Sequence, residues 1–325
     1  MIGNVGRLAS FDIAIVREMY RTGEVTIAGV DPRLNVSRIA ERLGCSRAKI
    51  TGRLEEWRSS GFLARYDVWP NPALFGLGGS TVDLRLVDPM RKASVIEHLA
   101  LLDGAVGCVE FLGPWISYQF LHPDPATRER RLKLLRRLDG VAEVGAPLPW
   151  SPIPPKRRLT ALDLRIVRAL RSGPTASIRE IARAVGVSSR TITTRYGALV
   201  ADWSVWFLPI FDFTRLPGPV VSLLVTVDGP ERREELRRRL QRAYPESLQF
   251  GWAGFGPVED LGYAVFFVYL PSAAAVEDLQ RTVAGWEGVT GVEANVLVRI
   301  HAFGDGFDEL LRTAVPASSG RGDAR

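Results

Sequence analysis

Apolar residues recur every three to four positions at two places along the chain, and each recurrence opens a block of the same design. In the first block Phe11, Ile15, Val16 and Met19 form a helical stripe. A second helix follows over 36–43 and stops at Gly44, and Ser46 caps a third that runs to about residue 59, with Ile50, Leu54 and Trp57 turned inward. The second block repeats the plan. Its stripe is Leu162, Ile166, Val167 and Leu170, its second helix spans 178–185 before Gly186, and its third starts at Ser188 or Ser189 with Ile192, Tyr196 and Leu199 inward. Behind each block the pattern changes to strand, helix, strand, strand, helix, strand. The predicted segments are 80–87, 93–102, 105–112, 115–121, 127–138 and 141–147, then 220–227, 232–243, 247–253, 261–270, 273–283 and 289–300.

The two blocks also share residues. Asp12, Ile15, Val16 and Arg17 lie over Asp163, Ile166, Val167 and Arg168. Further on, Ile39, Ala40, Gly44, Ser46, Ile50, Thr51 and Arg53 lie over Ile181, Ala182, Gly186, Ser188, Ile192, Thr193 and Arg195. The register slips between these stretches, which gives the first copy an extra loop over 23–34; a second slip places extra residues around 254–260 in the second copy. The expected fold is α+β: two winged helix-turn-helix domains and two ferredoxin-like βαββαβ domains in tandem. The boundaries are 1–72, 78–148, a Pro-rich linker 149–158, then 159–215, 218–312 and a disordered tail 313–325. The linker reads as a stiff spacer that holds the copies apart.

At 325 residues there is room for several cores, and the net charge of +6 favours an acidic partner such as nucleic acid. The apolar runs are too short to span a membrane and no signal pattern opens the chain, which reads as cytoplasmic. Cys45 and Cys108 form neither a disulfide framework nor a zinc knuckle, and no spacing of Cys, His, Asp or Glu suggests a metal.

A helix, a tight Gly turn and a Ser-capped helix make the shape of a helix-turn-helix. Joined to βαββαβ domains, it resembles the Lrp/AsnC (feast/famine) family of transcriptional regulators, through Leu162 to Leu170 and Ile178 to Arg195 and, in the first copy, through Asp12, Ile39, Ala40, Leu43, Gly44, Ser46, Ile50 and Arg53. The resemblance implies a dimer fused into one chain, binding double-stranded DNA, with small-molecule effector control and homo-oligomer formation through the sheet faces left open. The expected DNA contacts are Ser46, Arg47, Lys49, Arg53 and Arg65 in the first copy and Ser189, Arg190, Thr191, Thr194 and Arg195 in the second.

The family's central hairpin carries a Gly, two residues and an Asp; here Gly113-Pro-Trp-Ile116 ends in Ile. The same architecture serves siroheme decarboxylases, which rely on His and Arg around that hairpin. The imidazoles are His98, His122 and His301, and neither hairpin sequence contains one. His122 reads as a capping or surface residue, so the sequence reading is of no enzyme, no cofactor and no catalytic residue. Its alternatives are a decarboxylase-like enzyme and a non-DNA-binding sensor or interaction protein.

Overall fold

The computed structural model describes residues 9–20, 32–150, 154–155, 158–229, 232–244, 250–251 and 263–314. Most of the extra loop, the 254–260 insertion and the tail beyond Ala314 lie outside these residues. The first half opens with helices α1 (Ser10–Tyr20), α2 (Pro32–Arg42) and α3 (Arg47–Ser59). Pro32 starts α2 four residues before the predicted 36, in keeping with a proline's preset φ at a first helical position. Gly44 takes φ +61° in the turn, and the Ser46 hydroxyl accepts from the Lys49 N–H at 3.3 Å. In the second half, α6 (Ala161–Ser172), α7 (Ile178–Val185) and α8 (Ser189–Ala201) follow the same course. Capping boxes begin α6 (Thr160 with Asp163) and α7 (Ser177 with Glu180), and Gly186 turns at φ +74°.

Each helical unit leads into a strand, β1 (Leu63–Pro70) or β7 (Val205–Phe211). The two strands pair with one another, antiparallel, from Leu63↔Phe211 to Pro70↔Val205. The wing expected of each helix-turn-helix domain is therefore one side of a ribbon shared by both halves. Its side chains cross over: Phe211 and Phe213 complete the core of the first helical unit, and Val68 enters that of the second.

The remaining strands of the first half are β2 (Gly78–Leu86), β3 (Ala105–Phe111), β4 (Trp115–His122), β5 (Val141–Val144) and β6 (Leu148–Trp150). Those of the second half are β8 (Val220–Val227), β9 (Phe250–Gly251), β10 (Tyr263–Tyr269) and β11 (Val289–Ala302). Among the described residues they form one sheet in the order β5-β2-β4-β3-β11-β8-β10-β9, with β6 on β2 beside β5. Helices α4 (Lys92–Ala100) and α5 (Pro125–Leu135) cover Val82, Leu84, Ile116 and Tyr118, while α9 (Arg232–Ala243) and α10 (Ala274–Ala284) cover Val221, Leu223, Phe266 and Val268. Alternation along the strands places these residues on one face.

The halves fuse at β3 and β11, which pair through Leu297↔Phe111 and His301↔Cys108. A Cβ on Gly107 would lie 2.4 Å from the His301 carbonyl oxygen, so this approach requires glycine. The expected separation of the copies is thus corrected. The linker does not hold them apart, because Trp150 at its start pairs with Gly79 and the two halves share the ribbon, the sheet and the first helical core. One element escaped the sequence reading altogether: α11 (Asp305–Ala314), which buries Phe307 and Leu311. Arg171 of α6 clamps it, donating to Asp308 at 2.7 Å and the Gly304 carbonyl at 2.8 Å.

Candidate nucleic-acid interface and polar clusters

The third helices offer their outward faces, and the two faces differ. On α8 the positions away from Ile192, Tyr196 and Leu199 are Arg190, Thr193, Thr194 and Gly197, all exposed, and the helix contains no acidic residue. Arg190 and Thr194 have no partner among the described residues, whereas the Thr193 hydroxyl donates to the Ser189 carbonyl at 3.0 Å. The cap is Ser188, whose hydroxyl accepts from the Thr191 N–H at 3.1 Å and lies 2.9 Å from the Thr191 hydroxyl. Ser189 is thus the first helical residue rather than the cap, and Thr191 is engaged locally and half-buried. On α3 the equivalent outward positions are Ala48, Thr51, Gly52 and Glu55, with Arg47 and Lys49 exposed at its start. Lys49 Nζ stands 4.1 Å from the centre of the Phe11 ring.

Two of the arginines expected at DNA are tied to a carboxylate on the first helix of their own unit. Arg53 grips the buried Asp12 with Nε at 2.5 Å and Nη2 at 2.7 Å, and it also touches Glu56. Its hydrogen bond to Asp12 raises its proton affinity above the ordinary arginine value. Arg195 reaches Asp163, 1% exposed, at 3.5 Å and is itself 40% exposed. The same ion pair thus ties the third helix to the first in each unit. Arg65 stands on β1, exposed, and pairs with Asp67 at 2.9 Å.

The imidazoles are placed differently from expectation. His98 is exposed on α4. His122, read as a surface residue, is 9% exposed on the helix-covered side of the sheet, with Nε2 2.9 Å from the Ser80 hydroxyl. Burial, then the charge of Arg128, lowers its proton affinity. His301 crosses from the second half to β3, with Nε2 3.0 Å from Glu110 Oε2. Lys92, buried on α4, donates to the Phe111 carbonyl at 2.6 Å, lies 4.0 Å from Glu110 Oε1, and has its proton affinity lowered by burial. An imidazole therefore does stand beside the first hairpin, supplied by the other half of the chain.

No group of three or more His, Cys, Asp or Glu among the described residues could hold a metal, and none of the described helices is long and apolar enough to cross a membrane. Residues 159–200 match the AsnC-type helix-turn-helix domain family. No curated protein matches the sequence. Among solved structures the siroheme decarboxylase NirDL is similar with a TM-score of 0.52 at 14% identity, over 94% of this chain and 98% of that one. NirDL in complex with an iron-uroporphyrin III analogue gives 0.50 at 15% identity, over 95% and 100%. Escherichia coli AsnC gives 0.31 at 16% identity, over 47% and 97%. The NirDL matches correct the reading of the chain as no enzyme: the fold it shares from end to end is one on which an enzyme is built.

Proposed function

We propose that the chain is a DNA-binding regulator of Lrp/AsnC type, an internally duplicated pseudo-dimer whose second helical unit reads the DNA. The observation that carries this reading is the outward face of α8, where Arg190, Thr193, Thr194 and Gly197 form an exposed stripe free of acidic residues within the segment matched by the AsnC-type domain. Arginine donors suit phosphate and guanine edges, and hydroxyls suit either. The first unit presents Ala48, Gly52 and Glu55 at the same positions, so its part is to add phosphate contacts from Arg47 and Lys49. Unequal reading faces call for an asymmetric site, its two parts about one helical turn, roughly 34 Å, or a multiple apart.

Selection of genomic fragments by the full chain, followed by a salt titration, tests this. Affinity falls steeply with salt, and Arg190→Ala weakens binding by about 1–3 kcal/mol if it reads a base. Affinity indifferent to both salt and Arg190 would remove the proposal.

A second reading has its own support, the end-to-end likeness to NirDL together with the Lys92, Glu110 and His301 cluster where the halves join. Mixing the chain with siroheme and following CO2 release and the absorption spectrum decides it. A change that Lys92→Met abolishes supports the enzyme, and an unaltered spectrum with no CO2 ends that reading.

A further inference from the structure

Under the first turns of α5, the first half buries a cluster of donors that the second half does without. His122 closes β4 on the helix-covered side, with Ser80, wholly buried, beside it and the Phe120 ring 5.9 Å away. From α5, which follows directly after its cap Asp124, come Arg128 and Arg131, with side chains 25% and 15% exposed. Arg131 stands 6.0 Å from the centre of the Phe120 ring and donates through Nη2 to Asp103 at 2.6 Å; Arg128 Nε lies 3.5 Å from the Glu129 carboxylate. Three buried atoms then remain: His122 Nδ1, Arg128 Nε and Arg131 Nη1 have no hydrogen-bond partner among the described residues. Buried polar atoms of a native protein almost always find one.

The second half shows that the fold itself does not ask for this cluster. On β2 and β4, Gly78 stands opposite His122 and Ser80 opposite Phe120; on β8 and β10, Val221 stands opposite Val268, and the Leu270 N–H bonds the Pro219 carbonyl. By this register Val221 and Leu270 occupy the places of Ser80 and His122, and both are buried in an apolar core. Ala275 and Val276, in the first turn of α10, pack against that same core. An apolar solution therefore exists in this chain, and replacing it with an imidazole and two guanidinium groups carries a desolvation cost unless something meets the donors. Positive charge presses on the imidazole from Arg128 and Arg131, while the Gly79 backbone and the Asp124 carboxylate favour its charged form; a further negative group offsets the rest of that pressure and meets the unmet donors. The guanidinium fork matches a planar carboxylate or a phosphate.

We propose that the first half binds a small oxyanion, a carboxylate or a phosphate, between His122 at the end of β4 and Arg128 and Arg131 of α5. This goes beyond the DNA-binding reading and stands apart from it, since the site lies on another element. The test uses the full chain without DNA, titrated with inorganic phosphate and separately with acetate against chloride at constant ionic strength. The thermal midpoint and the His122 ring signals in NMR are followed. A saturable rise with one of the anions, together with a shift of the His122 signals, is expected, and which anion does it identifies the source. The double variant Ser80→Val with His122→Leu copies the second half's own packing, and Arg131→Gln keeps the core untouched. Each weakens the anion's effect about tenfold or more, the loss of one charge-assisted hydrogen bond. No saturable response to either anion, or an equal response in wild type and Arg131→Gln, overturns the proposal whatever DNA binding shows.

Discussion

Arg53 and Arg195 lie at matching places in the two blocks and carry the charge that DNA contacts need, yet each is directed at a buried aspartate on the first helix of its unit. Removing the arginine takes away that carboxylate's counter-charge and leaves it its backbone and cap hydrogen bonds. Arg53→Ala is expected to cost about 2–4 kcal/mol, because Asp12 is nearly inaccessible and held by two short bonds. Arg195→Ala costs about 1 kcal/mol or less, since its pair is longer and the guanidinium is 40% exposed. Urea unfolding of both variants measures the difference, and equal costs would contradict this account. Trp203 is the other residue whose role only its backbone reveals. It takes φ +64° at the end of α8 where Gly61, at φ +78°, follows α3, and the strain is held by Asn71, whose side-chain amide donates to the Trp203 carbonyl at 2.9 Å.

At the scale of elements, the third helices carry glycines in their interiors, and neither is required by packing. A Cβ at Gly52 or at Gly197 would meet nothing within 4 Å. Glycine within a helix costs about 0.5–1 kcal/mol relative to alanine. Gly52→Ala and Gly197→Ala are therefore both expected to raise stability by that amount in thermal or urea unfolding. If α8 lies against a duplex at Gly197, the second change stabilises the protein and still lowers its DNA affinity, while the first leaves affinity unchanged. A loss of stability in either variant would show that the exposed face is packed after all. The β1 and β7 ribbon shows a limit of local reading: both strands have the apolar pattern of strands, and nothing in that pattern says that each seeks the other rather than its own helices.

For the whole molecule, the halves share a ribbon, a continuous sheet and the core of the first helical unit, into which Phe211, Val220, Phe267 and Tyr269 of the second half are buried. A polypeptide ending at residue 155 would leave β1 without its partner, β3 paired with β4 on one side only, and this apolar surface bare. Segments 1–155 and 156–325 expressed separately are expected to aggregate or stay largely unfolded, and to recover a folded complex when produced together. A cooperative, soluble first segment on its own, seen by circular dichroism and sedimentation, would refute this. The cluster of Lys92, Glu110 and His301 is likewise complete only when the two halves are joined, since its imidazole comes from the second half.

Local chemistry was legible in the chain itself. The 3.6-residue stripes, Gly44 and Gly186 in the turns, Ser46 as a cap and the strand and helix order of the sheet domains all depend on neighbours within a few residues. The amphipathic α11 is not among the predicted elements, although its apolar stripe of Phe307, Leu310 and Leu311 is equally local. What only the tertiary structure decided involves partners far apart in sequence. Such pairs include Asp12 with Arg53, β1 with β7, and Glu110 with His301, 191 residues away. Each is fixed by which surfaces must be buried together, and periodicity carries no information about that choice. The same reason explains why His122 read as a surface residue: its burial is set by α5 folding back over the sheet and by Ser80 on a neighbouring strand.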